Sequence, residues 1–318
     1  MPDTPLVICF GEGLIALVPT TAGPLENCRS FHRSLAGAEW NVAIALASAG
    51  TRAAVVSRVG DDGFGRFLRA ELEAHGVDAS AVVTDPDAPT GLYVKELEAR
   101  PDGSIDGLMH YYRRGSAAAA LSPESLRTPE AAHLLADAAL VHTTGITPAL
   151  SATARAAQDE LFSSPGSSSD PLPGPFRVSF DLNWRPALWR GREEEARTLL
   201  SDYMARADIV QCSAADAEDL LGTGDPDRLR AMFPAPRHLV VTRADGAVAF
   251  DGDERAEAPA VDAPVVETIG AGDAFAAGFL AGVLAELSLA GCLARAHRLA
   301  TRALTTTRDH VDGALSVR

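Results

Sequence analysis

Short, almost continuous apolar runs alternate along the chain with longer segments in which apolar residues recur at helical spacing. The runs PLVICFGE (5–12), TRAAVVSRVG (51–60), ALVHTTG (139–145), FRVSFDLNW (176–184), ADIVQCS (207–213), RHLVVT (237–242) and GAVAFDG (246–252) predict strands. GAEWNVAIALASAG (37–50) and FGRFLRAELEAHG (64–76) predict helices, each closed by a glycine at the C-terminal cap. Near-continuously apolar strands separated by helices imply an α/β domain built on a doubly wound, mainly parallel sheet. Two stretches break the rhythm. Segments 24–35 and 90–113 alternate polar and apolar residues without an intervening helix, and predict a small antiparallel flap added to the main sheet. The Ser/Pro/Gly-rich stretch SSPGSSSDPLPGP (163–175) is expected to be a flexible surface loop.

Charge narrows the function classes. The formal net charge of −15 argues against a general nucleic-acid binder or an anionic membrane surface, both of which need a basic face. The sequence holds a single lysine, Lys95, inside the strand-like TGLYVKELE, so a phosphate loop of the Gly-Lys-Ser/Thr type is excluded and Schiff-base chemistry is disfavoured. Cys9, Cys28, Cys212 and Cys292 show no paired spacing and are read as reduced thiols. No basic leader opens the chain and no apolar run reaches bilayer length, so a cytoplasmic protein is expected.

The densest chemistry lies at ETIGAGDAF (267–275), directly before the apolar helix pattern that continues to Leu284. Gly270, Ala271 and Gly272 let a ligand approach the backbone, and a helix N-terminus offers outward N–H groups to an anion. Asp273 can be read as an ordinary helix cap or as a base meeting the group under attack. GEGLIA (11–16) matches a dinucleotide fingerprint, but that motif requires a helix opening at its glycines, and LIALVP is β-rich. Arg185, just past the strand in DLNWR, and Arg113, at the end of YYRR, suit a carboxylate if they converge; otherwise they are surface arginines in an arginine-rich chain.

TIGAGDAFAAGF (268–279) resembles the C-terminal signature of ribokinase-like (PfkB) carbohydrate kinases, and LAGAEWNVAIALASAGTRAAVVSRVGDDGFG (35–65) resembles their N-terminal signature. The resemblance runs over essentially the whole chain. FGEGLIALVP (10–19), TGLYVKE (90–96), YYRRGSAAAALSPE (111–124) and SFDLNWRPALW (179–189) are similar to segments of the branch that phosphorylates 2-keto-3-deoxygluconate.

The resemblance implies a single ribokinase-like three-layer α/β/α domain over 1–318, with a β lid formed by about 12–35 and 90–113. It implies ATP-dependent phosphorylation with Asp273 as general base, the N–H groups of Ala271, Gly272 and Asp273 as an anion hole after Gly270, and Mg²⁺ carried by the nucleotide rather than held in a protein cage. Gly37, Asn41, Tyr93, Tyr111, Arg113 and Arg185 match sugar-contacting positions. Ser213, Asp216, Thr242, Gly246, Gly270 and Gly272 fall on the nucleotide side.

Departures from the family pattern lie there too. Ser213 and Asp216 replace Asn and Glu, Glu267 and Ile269 replace Asp and Thr, the loop in VVTRADGA (240–247) is one residue short, and LATRALTTTR (299–308) lacks an Asn. A homo-oligomer is expected. A neutral-sugar kinase such as a fructokinase, and a non-catalytic sugar-acid-binding homologue, are the competing expectations.

Overall fold

A computed structural model describes residues 4–99, 105–163, 171–261 and 270–304. In chain order the first half runs β1 (Leu6–Phe10), β2 (Leu14–Pro19), β3 (Phe31–Ala36), α1 (Ala38–Ser48), β4 (Arg52–Gly60), α2 (Gly63–Ala74), β5 (Val82–Asp85), β6 (Leu92–Ala99), β7 (Ile105–Tyr112), α3 (Pro129–Asp137) and β8 (Ala138–Thr144). The second half adds α4 (Thr147–Leu150), α5 (Ala152–Leu161), β9 (Arg177–Asp181), α6 (Glu193–Arg206), β10 (Ile209–Ser213), α7 (Ala214–Leu221) and α8 (Pro226–Met232). It closes with β11 (His238–Arg243), β12 (Gly246–Asp251), β13 (Glu254–Pro259), α9 (Ala271–Leu284) and α10 (Leu289–Leu304).

The main sheet has the order β13-β12-β11-β10-β9-β8-β1-β4-β5. Its strands pair in parallel from β5 across to β11, and β12 and β13 add an antiparallel edge. The chain leaves β1 for β4 on one side and returns to β8 on the other. The point where strand order reverses therefore lies beside β1, where α/β sheets open a crevice for ligands.

Alternate residues of β1 serve opposite layers. Leu6, Ile8 and Phe10 join a core with α3, α5 and α6, while Val7 and Cys9 join a core with α1, α9 and α10. This is the α/β/α sandwich that the apolar pattern predicts. α9 is apolar nearly all round because it packs against both α1 and α10, so it lacks the one-sided stripe of a surface helix.

The small sheet has the order β3-β2-β6-β7. Its two antiparallel hairpins are joined by a parallel pairing of β2 with β6. Within 24–35 only the end is a strand; Leu25–Asn27 form a short 3-10 turn.

Two strands were not legible in the apolar pattern. β5 is only VVTD, and β13, ERAEAP, is an exposed edge strand without an apolar face. The run predicted over 176–184 stops at Asp181, because Asn183 takes a positive φ of 37° that ends the ladder. Of the loop 163–175, residues 164–170 lie outside the described residues, and Leu172 packs against the core.

The glycines of GEGLIA have a packing reason. A Cβ on Gly11 would stand 2.2 Å from the Glu39 carboxyl carbon, and one on Gly13 would stand 2.4 Å from the buried Trp40 ring. The chain after them is β2, so the helix a dinucleotide site requires is absent here. At the other junction of sheet and flap, Asp62 caps α2 through Phe64 N and Gly65 N and also accepts from Thr90 N (2.8 Å) and Thr90 Oγ1 (2.9 Å). One carboxylate thus ties the entry of β6 to the body.

Gly13→Ala is expected to lower stability by about 1–3 kcal/mol, because the rigid Trp40 ring cannot yield to the added carbon. An unchanged urea midpoint for the variant would show that the contact relaxes at no cost.

Candidate active site

A cavity of about 550 Å³ opens at the carboxyl ends of the parallel strands. The body contributes Glu12 after β1, Asp181 at the end of β9, Ser213 at the end of β10 and Thr242 near the end of β11. The small sheet contributes Tyr93, Met109 and Tyr111, and the N-terminus of α9 contributes Gly270, Gly272 and Asp273.

The turn into α9 is made by Gly270 in the left-handed conformation, φ 78°, where a side chain would be strained. The first bond back to it is Ala274 N to Gly270 O at 2.9 Å. The N–H groups of Ala271, Gly272 and Asp273 precede that bond, so they lie at the positive end of the helix. Asn41, from α1, donates its Nδ2 to Asp273 Oδ2 at 2.8 Å, joining residues far apart in sequence. That bond fixes the orientation of the Asp273 carboxyl group.

Among the residues read from sequence, Gly37, Asn41, Tyr93, Tyr111, Arg113, Arg185, Ser213, Asp216, Thr242, Gly270, Gly272 and Asp273 line this one cavity. Ala271 is outside the lining and packs its methyl group toward the core. Gly246 is outside it as well: it opens β12 with φ 150°, and a Cβ there would meet the Ala258 carbonyl oxygen at 2.2 Å. Close strand pairing accounts for that glycine. Glu267 and Ile269 lie outside the described residues.

Tyr93 and Tyr111 are directly opposed across β6 and β7, with ring centroids 5.5 Å apart, and the Arg113 guanidinium stands 5.2 Å from the Tyr111 ring. Arg185 donates to the Trp184 carbonyl at 3.0 Å. Ser213 caps α7 by accepting from Asp216 N at 2.9 Å, so these two departures from the family pattern are coupled to each other.

Carboxylates supply what the sequence reading missed. Glu12 and Glu39 are almost fully buried in the same lining. Glu39 Oε1 accepts from Thr144 Oγ1 at 2.7 Å and Thr147 Oγ1 at 3.0 Å. Burial still raises the Glu39 carboxyl above its ordinary range, against the pull of those two bonds. Glu12 Oε2 lies 2.9 Å from Arg113 Nη2. Burial pushes the Glu12 carboxyl up to about 7, opposed by the Arg113 charge and assisted by that of Glu39. Burial, followed by the charges of Asp273 and Asp216, likewise raises Asp181 to about 7. Asn183 and Gln211 also line the cavity, and among the described residues Asn183 Oδ1 and Gln211 Nε2 are buried without a hydrogen-bond partner. The available signal for Glu39 was a lone acid in an otherwise apolar helix; for Glu12 there was none.

The sheet, the crevice beside its first strand and the acid on a glycine-rich helix start define a phosphotransferase acting on a small hydroxylated molecule. The family model for the pfkB family of carbohydrate kinases matches residues 4–310. The 2-dehydro-3-deoxygluconokinase of Thermoproteus tenax is 35% identical over 281 residues, covering 86% of this chain and 81% of that one. Fructokinase-1 of Oryza sativa subsp. japonica is 37% identical over 292 residues, covering 89% and 84%. The crystal structure of a PfkB protein from Polaromonas sp. JS666 superposes with a TM-score of 0.83 at 30% identity, covering 98% of each chain. The chain belongs to the PfkB family of carbohydrate kinases, and it is an ATP-dependent sugar kinase. Among the described residues no helix is long and apolar enough to cross a membrane, and no group of three His, Cys, Asp or Glu side chains could hold a metal ion.

The raised Asp181 carboxyl has a consequence for stability. It binds its proton more tightly folded than unfolded, so this group's contribution declines as pH rises from about 4 to about 7, by at most about 1.4 kcal/mol per pH unit. Asp181→Asn is expected to raise the Tm over wild type at pH 8 by several degrees more than at pH 4. Equal shifts at the two pH values would show that the buried charge is not the cause.

Proposed function

We propose that this kinase transfers the γ-phosphate of ATP to the 6-hydroxyl of 2-keto-3-deoxygluconate. The observation that carries the reading is that Arg113 and Arg185 line the same cavity as Asp273 on its helix N-terminus. Guanidinium groups recognise a carboxylate through paired, charge-assisted hydrogen bonds, and a neutral sugar offers no such partner. Similarity to a 2-dehydro-3-deoxygluconokinase supports the same substrate, and similarity to a fructokinase keeps a neutral-sugar kinase as the second reading. The second reading has its own support, because Arg113 already faces the carboxylate of Glu12.

In the proposed reaction Asp273 takes the proton of the attacked hydroxyl, with Asn41 fixing the orientation of its carboxylate. The N–H groups of Ala271, Gly272 and Asp273 stabilise the charge on the transferring phosphoryl group. Tyr93, Tyr111, Asn41 and Gly37 bound the sugar, while Ser213, Asp216 and Thr242 bound the nucleotide. The oxygen donors of Asp181 and Asp216 suit a water-rich Mg²⁺ arriving on the phosphates, where it would offset their negative charge. The small sheet acts as a lid that keeps water from the phosphoryl group. Its exposed Leu108 and Tyr112 suit contact with a second copy of the chain in a homo-oligomer. Reduced cysteines and a need for ATP suit the cytoplasm.

Asp273→Asn is expected to leave substrate binding intact and lower kcat by at least about 10²-fold, the scale of a lost general base. Near-normal turnover in a coupled assay of ADP release would remove Asp273 from that role. Arg185→Ala should lower kcat/KM for the keto acid by about 10–150-fold, the worth of one charge-assisted bond, with a much smaller loss on fructose. Equal losses on both sugars, or a wild type that prefers fructose, would overturn the carboxylate reading.

A further inference from the structure

Arg113 acts by its charge on two buried acids, Glu12 and Glu39. Its Nη2 lies 2.9 Å from Glu12 Oε2 as an ion pair, and among the described residues Nε and Nη2 of Arg113 and Oε2 of Glu12 are buried without a hydrogen-bond partner. A guanidinium in such contact is held by charge but keeps donors for another acceptor. The surroundings of Glu12 are tightly specified. Ser116 Oγ donates to Glu12 Oε1 at 3.3 Å, a Cβ on Gly37 would stand 2.3 Å from the Glu12 carbonyl oxygen, and one on Gly91 would stand 3.2 Å from Glu12 Oε1.

The groups facing Glu12 come from three elements. Glu39 approaches from α1, Arg113 and Ser116 from the segment after β7, and Gly91 from the start of β6. Cys9 of β1 lies near Glu39, and burial followed by the Glu39 charge holds its thiol protonated. Asp181, Asp273 and Arg185 border the same cavity from β9, α9 and the loop after β9.

We propose that Glu12 is a positioning and specificity-determining residue, whose buried carboxyl holds the Arg113 guanidinium at the cavity and takes up a proton from solvent when a substrate carboxylate pairs with Arg113. With both glutamates ionised, the triad of Glu12, Glu39 and Arg113 carries one net negative charge, which repels an anionic substrate. Protonation of Glu12 cancels that charge and releases Arg113 to the incoming carboxylate. The Glu12 carboxyl is poised near neutrality, so the exchange requires little work at physiological pH. The inference rests on the carboxylate reading of the substrate given above. It adds that acid binding is linked to proton uptake at a residue that does not touch the reacting hydroxyl.

The sign follows from linkage: below about pH 7 Glu12 is already protonated, and above it the proton must be recruited. Isothermal titration of the ATP-free enzyme with 2-keto-3-deoxygluconate, in two buffers of different ionisation enthalpy at pH 7.5, should show proton uptake by wild type and little by Glu12→Gln. In steady state, wild-type kcat/KM for the acid should fall about tenfold between pH 7 and pH 8.5, while Glu12→Gln stays flat. Glu39→Gln keeps the oxygen that Thr144 and Thr147 bond. It should move the alkaline limb to lower pH, since Glu39 no longer raises its neighbour. Proton uptake retained in Glu12→Gln, or a limb unmoved in Glu39→Gln, overturns the role of Glu12 while leaving the substrate intact. Absence of both heat and turnover with the keto acid in wild type instead overturns the substrate reading, and this inference with it.

Discussion

Acid is concentrated at the carboxyl edge of the sheet. Among the described residues, Glu12, Glu39, Asp181, Asp216 and Asp273 line one cavity against only Arg113 and Arg185. Removing carboxylates from water without matched cations is expensive, and the surrounding elements are arranged around that cost. Thr144 and Thr147 at the end of β8 direct hydroxyls at Glu39, and Asn41 directs its amide at Asp273. Asp273 itself stands in the first turn of α9, where the helix dipole favours negative charge. The glycines at 11, 13 and 37 exist because acids, an indole ring and a carbonyl occupy the space their side chains would need. Packing at this corner follows from electrostatics.

An edge so rich in acid selects its ligands by what they bring. A nucleotide triphosphate entering a cleft of surplus negative charge needs countercharge with it, and burial, by raising the carboxyls of Asp181, Asp216 and Glu12, lessens the negative charge it meets. Stability is lost in the bargain at neutral pH, as expected of a site shaped for turnover.

Local features were legible in the sequence and distant ones were not. GAGD before an apolar run announces a helix N-terminus because glycine, acid and helix pattern are contiguous, and α9 begins at Ala271. The alternation of strand and helix was legible for the same reason, down to the closing glycines of α1 and α2. Glu12 and Arg113, by contrast, meet from the ends of β1 and β7, and no period or spacing encodes that pairing. The glycines of GEGLIA were ambiguous because a small residue reports only that something lies close, whether a pyrophosphate, a carboxyl group or an indole. Gly246 shows the same limit: its neighbour is the Ala258 carbonyl of β13, a strand too polar to be recognised in advance.

Asp62 binds four donors at once, two in α2 and two on Thr90. This makes Thr90 a pinned fulcrum, with β6 as the arm that extends from it. At about 3.3 Å per residue, an eight-residue strand is a lever of roughly 26 Å. A tilt of about 10° at the pin would sweep the far tip through roughly 4–5 Å, while Tyr93, close to the pin, would travel only about 1–2 Å on the same geometry. The gearing is uneven because of the attachment point: the rim, with Gly107 and Leu108 paired far along β6, can gape widely while Tyr93 and its partner Tyr111 keep nearly the same place.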